Sequence, residues 1–132
     1  GLAGVPGVRL IPRPQHEDYM GSSFQFLLPG WEPARVVALV AGAAARGVEL
    51  KWFGAESPQG FTSRYAHWRY AAPVALPRTD RVLAGLIDMR LPLTFTTGDV
   101  ALITRILAEE ADRAARSDRA APAAAANASV AD

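Results

Sequence analysis

A chain of 132 residues, half of them hydrophobic, can build one ordinary core and leaves little room for a second domain. Fourteen Lys plus Arg against thirteen Asp plus Glu give a formal net charge of +1, which excludes the strong field that draws in nucleic acid or an anionic membrane. Cysteine is absent, which excludes a disulfide scaffold and thiolate chemistry, and His16 and His67 are too far apart in sequence for a local zinc pair.

In chain order, residues 1–20 are rich in Pro and Gly, with Val8, Leu10 and Ile11 as their one apolar concentration, and read as an incoming connector. "SSFQFLL", residues 22–28, alternates so that Phe24, Phe26 and Leu28 share a face, the period of a half-buried strand closed by Pro29 and Gly30. Pro33 suits an early helical position. Val36, Val37, Val40 and Ala44 then recur on one side until Gly47, which predicts a helix over Pro33 to Arg46. Val48 to Phe53 alternates again, with Val48, Leu50 and Trp52 opposite Glu49, Lys51 and Phe53, and Gly54 closes this second strand.

After an aromatic stretch, Thr79 or Asp80 can cap a helix with Val82, Leu83, Leu86 and Ile87 as its buried stripe. "RLPLTF", residues 90–95, reads as a short extended segment that Pro92 confines to a sheet edge. Thr96 and Asp99 form the start signal of a third helix carrying Val100, Ile103, Ile106 and Leu107 on one face and fraying past Asp112. The Ala-rich stretch from Ala120 has almost nothing to bury and is expected to be a disordered tail. The domain proper is expected over residues 21–112, with 113–132 as frayed helix end and tail. The fold class is α+β, a two-layer sandwich of a small, largely antiparallel sheet with about three helices. No apolar run is long enough to span a bilayer, so a cytoplasmic protein with no membrane or nucleic-acid partner is expected.

Self-sufficient chemistry is hard to find. "GLAGVPG", residues 1–7, lacks a preceding strand and a Walker lysine; Ser22 and Ser23 have no nucleophile-elbow glycines; Glu17 and Asp18 are adjacent and would point apart on a strand. Lys51, the only lysine, can be a Schiff-base nucleophile or a solvent-facing strand residue, and its place opposite the apolar set favours the second. No catalytic or metal-binding residue is assigned.

The most loaded stretch is "KWFGAESPQGFTSRYAHWRY", residues 51–70, with six aromatic rings. Trp52, Phe53, Phe61 and Trp68 read as packing residues. Arg64, Tyr65, His67 and Arg69 are polar or amphipathic, follow a Gly-containing turn, and are the candidate substrate-binding residues.

"SSFQFLLPGW", "RGVELKWFGAESPQGFTSRYAHWRY", "LPRTDRVLAGLIDMRLPLTF" and the helix that follows resemble the C-terminal region of the DegT/DnrJ/EryC1/StrS aminotransferases, pyridoxal-phosphate enzymes of fold type I. The likeness covers about residues 5 to 110 and rests on the order of features rather than on a stand-alone catalytic motif. It implies the small domain of such an enzyme, as a fragment, a split gene product or a truncated form. That domain closes over a cleft whose Schiff-base lysine and phosphate cup lie in a large domain. Pyridoxal phosphate then belongs to the full-length enzyme and not to this chain alone. Partners would be the large domain or a homodimer mate, and a small amino donor or keto acceptor. Family members acting on nucleotide-linked keto sugars carry a His-Tyr segment where this chain has "YAHWRY", so another amino or keto substrate is equally compatible. The competing reading is a non-catalytic protein-binding or dimerisation module anchored by Trp31, Trp52 and Trp68. Single-strand nucleic-acid binding through the aromatics with Arg64 and Arg69 lacks the basic surplus it needs.

Overall fold

The alternation of Phe24, Phe26 and Leu28 forms the expected strand, and the sheet grows on both sides of it. The computed structural model describes residues 1–59, 64–70, 72 and 74–128, from residue 118 onward by backbone alone. Its elements are β1 (Arg9–Leu10), β2 (Ser23–Leu27), α1 (Pro33–Ala45), β3 (Lys51–Trp52), α2 (Pro77–Gly85), β4 (Leu86–Arg90) and α3 (Thr97–Ala128). The four strands form one antiparallel sheet in the order β1-β2-β4-β3. This is the α+β class read from the sequence.

Register sorts the two faces. Phe26 pairs with Ile87 and Phe24 with Met89, and these side chains join Leu28, Val36, Leu39, Ile106 and Leu107 in one core with α1 and α3. Gln25, Asp88 and Lys51 line up in one row across three strands, and the pleat assigns that row to the opposite face. Burying side chains the size of Phe26 and Ile87, both almost wholly enclosed, contributes about 1.5–3 kcal/mol each.

Several expectations change. The β4 strand occupies residues that were assigned to the end of a helix and to an extended segment beginning at Arg90. Leu86 and Ile87 continue the spacing of Val82 and Leu83, but the helix stops at Gly85 and the chain enters the sheet. The same helix starts at Pro77, earlier than a cap at Thr79 or Asp80, because Pro77 takes the first helical position. In α1 the buried stripe is Val36, Leu39 and Ala43, while Val37 is 53% exposed and Ala44 also faces outward. The second strand is shorter than Val48 to Phe53, since only Lys51 and Trp52 pair.

The first ten residues are more than a connector. Leu2 and Val5 are buried, β1 pairs with β2, and Gly7 at φ +79° lies so close under Trp31 that a Cβ there would meet the indole nitrogen at 2.6 Å. Nor does α3 fray at Asp112. It continues to Ala128, with Ala111 and Ala114 buried in the core shared with α1. At Ala111 and Ala114 alanine, the best helix former, is also a contact residue. Residues 129–132 of the expected tail lie outside the described residues.

The start of α3 is as read. The Thr96 N–H and hydroxyl both donate to Asp99 Oδ2, at 2.8 and 2.7 Å, and the Asp99 N–H donates to Thr96 Oγ1 at 3.2 Å. The hydroxyl bond first, and the backbone bond second, hold the Asp99 carboxyl below its ordinary pKa. A depressed folded-state pKa means that the stabilisation is present above the ordinary aspartate value and is lost as pH falls through the lowered one. Titration of the Asp99 carboxyl carbon by NMR should therefore show a midpoint below the ordinary range, and Thr96→Ala should move it back up. An unchanged midpoint in the variant would contradict this cap.

Candidate functional site: the aromatic loop

Between the edge strand β3 and α2, the described residues of the aromatic loop are tied together by side chains that reach back to main chain. His67 does most of this. Its Nδ1 accepts from the Arg64 N–H at 3.1 Å, which leaves the proton on Nε2, and Nε2 then donates to the Glu56 carbonyl at 2.8 Å. One neutral imidazole thus ties residue 56 to residue 64. Around it, residues Tyr65–His67 form a single 3-10 turn. Arg64 sends Nη1 to the Gly54 carbonyl at 3.3 Å, while its Nε is buried with no hydrogen-bond partner among the described residues.

Tyr65 fastens the other side. Its hydroxyl donates to the Asp80 carboxylate, 2.9 Å from both oxygens, and accepts from the Leu76 N–H at 3.2 Å. Burial first, then the Asp80 carboxylate, raise the phenol above its ordinary pKa. Trp52 closes the base of the loop by donating from Nε1 to the Ala84 carbonyl at 2.8 Å. Asp80, read from sequence only as a helix cap, is an anchor of the loop. No local signal marks it, since its partner lies fifteen residues away.

The four predicted site residues therefore divide. Arg64, Tyr65 and His67 come together and direct hydrogen bonds to loop main chain or to Asp80, while Arg69 is exposed. Beside Arg69, Trp68 is 45% exposed and Tyr70 84%, and their rings stack with centroids 5.7 Å apart and planes 13° from parallel. Trp52 and Phe53 are half-buried; Phe61 lies outside the described residues. Trp31 is buried, with the Arg35 guanidinium 3.6 Å from its ring centroid.

A groove of about 740 Å³ runs between α1 and the edge strand, lined by Val37, Val40, Ala44, Leu50 and Trp52 with Glu56 and Gln59 nearby. It takes Val37, Val40 and Ala44, three of the four α1 side chains that sequence periodicity had placed in the core. Among the described residues there is no cluster of three or more His, Asp or Glu that can hold a metal ion, and no helix long and apolar enough to cross a membrane.

The residues around Lys51 do not fit pyridoxal phosphate. The cofactor needs an amine and an acid at opposite ends of its ring, whereas Lys51 and Asp88 are direct partners in the ladder. Such pairs project side by side with Cβ atoms about 4.5–5.5 Å apart. Comparison with known proteins finds no family model, no curated relative and no solved structure that matches this chain.

Proposed function

We propose that this chain is the small domain of an aminotransferase of the DegT/DnrJ/EryC1/StrS type, working with a large domain that carries pyridoxal phosphate. Its aromatic loop faces the substrate cleft. The observation that carries this reading is how the loop spends its polar groups. His67, Tyr65 and Arg64 use theirs to hold the loop's shape, and the stretch that follows turns Arg69, Trp68 and Tyr70 outward. A loop braced from within and presenting a cation beside a ring pair suits a closing domain that meets a small anionic substrate. The order of sequence features and the antiparallel α+β architecture are compatible with that role.

The alternative, a partner-binding module anchored by three tryptophans, is favoured less, because Trp31 is buried in the core and the Trp52 indole N–H donates to Ala84. The test expresses the chain joined to the sequence that precedes it in its gene and assays transamination. Arg69→Ala should leave the melting temperature unchanged and lower kcat/KM by about tenfold, as for loss of one charge-assisted contact made by substrate. A joined protein without bound pyridoxal phosphate, or full activity in the variant, would overturn the reading.

A further inference from the structure

Strands β3 and β4 form a fork. They pair only at Lys51↔Asp88 and Trp52↔Ile87, whereas β2 follows β4 as far as Arg90. Residues 47–50 separate from 89–92, and a cleft of about 210 Å³ opens in the split. Met89, Phe95 and Ile103 line it together with Glu49, Lys51 and Arg90; Asp88 is not part of the lining. The neighbouring C-terminal carbonyls of α1, those of Ala43 and Ala44, are already capped by the N–H groups of residues 46–48.

Lys51 and Arg90 are the two cations of this cleft. Among the described residues neither takes part in an ion pair or a side-chain hydrogen bond, although both border one cleft. Two unpaired cations beside an apolar lining can receive a carboxylate, the guanidinium by its two-pronged donor geometry and the ammonium as a point charge. Glu49 in the same lining and Asp88, the ladder partner of Lys51, offset much of that positive charge, which favours a monoanion over a dianionic phosphate. The volume is below the roughly 300–1,000 Å³ of pockets for drug-sized ligands, so the apolar part of the ligand is a short chain or a single ring.

We propose that the β3–β4 fork is a binding site for a small monocarboxylate with an apolar body, held by Arg90 and Lys51 at its charged end and by Met89, Phe95 and Ile103 at the other. The site stands on this geometry alone and does not depend on the aminotransferase reading.

Because Lys51 is the only lysine, reductive ¹³C-methylation gives one side-chain reporter inside the site, to be followed with the backbone amides of Arg90 and Phe95 in the full chain. Phenylacetate should produce saturable shifts at all three. Phenylacetamide, the neutral analogue, should bind about tenfold more weakly or not at all, as should inorganic phosphate. Arg90→Gln should weaken phenylacetate about fivefold or more with the remaining spectrum unchanged, and Lys51→Arg, which keeps the charge, should retain binding where Lys51→Gln does not. Equal binding of phenylacetamide would reduce the cleft to an apolar depression, equal binding of phosphate would reduce it to a patch of charge, and an unaffected Arg90→Gln would remove its main ligand group. Any of these three overturns the proposal.

Discussion

Gly85→Ala should destabilise the chain by about 3 kcal/mol, measured as a shift of the urea midpoint at unchanged slope. Gly85 ends α2, and its carbonyl accepts from the Leu28 N–H at 2.9 Å, so the helix-to-strand junction lies directly on the end of β2. A Cβ at this position would lie 2.7 Å from the Leu28 carbonyl oxygen and 3.1 Å from the carbonyl carbon. Those are backbone atoms, continuous with a strand that is paired residue by residue to β4, so they have no rotamer to change. Relief requires parting β2 from β4, the two strands that supply Phe26 and Ile87 to the core. That places the cost at the upper end of ordinary overpacking. Gly4→Ala is the control, because a Cβ there has nothing within 4 Å, and it should stay within about 0.5 kcal/mol. Equal midpoints for the two variants would show that the junction yields.

The second large effect is expected where the two long helices meet. Glu110 on α3 is only 2% exposed; its Oε1 accepts from Arg46 Nη1 and its Oε2 from Arg113 Nη1, each at 3.0 Å. A buried carboxylate is tolerable only when its lone pairs are met, and here one cation comes from the C-terminal end of α1 and the other from the next turn of α3. Truncation to alanine removes both bonds and leaves a gap in the helix interface. Removing one member of a buried pair costs roughly 3–5 kcal/mol when the orphaned charge stays buried. The arginines here are partly exposed and can hydrate, and Arg46 keeps Glu109 at 2.7 Å, so a loss of about 2 kcal/mol is expected for Glu110→Ala. Glu109→Ala, at a half-exposed position, should cost a small fraction of that. Thermal unfolding of the two variants side by side checks this, and a larger loss at Glu109 would mean that the buried carboxylate is not the clamp.

What the sequence determined by itself is whatever depends on near neighbours along the chain. The alternation of Phe24, Phe26 and Leu28, the helix opened by Pro33, and the Thr96–Asp99 cap all rest on spacings of two to four residues, and each stands where it was read. The concentration of rings and cations in residues 51–70 was legible on the same terms. Local spacing becomes ambiguous where two structures share it. Leu86 and Ile87 extend a helical stripe as well as they begin a strand, and only the ladders on both sides, to β2 and to β3, decide for the strand. In α1, Val37 and Ala44 lie one position from the buried Val36 and Ala43. Which side of the helix is covered is settled by α3, more than fifty residues later.

The aromatic loop divides along the same line. Residue types at 64–69 suggested a site, but which of them face outward depends on acceptors at Gly54, Glu56 and Asp80. The fork at Lys51 and Arg90 and the clamp of Arg46 by Glu110 join residues 39 and 64 positions apart, and left no trace in any local pattern. Periodicity records which side of an element is apolar; which partner covers that side, and which charges then remain unpaired, is a long-range outcome that only the packed chain decides.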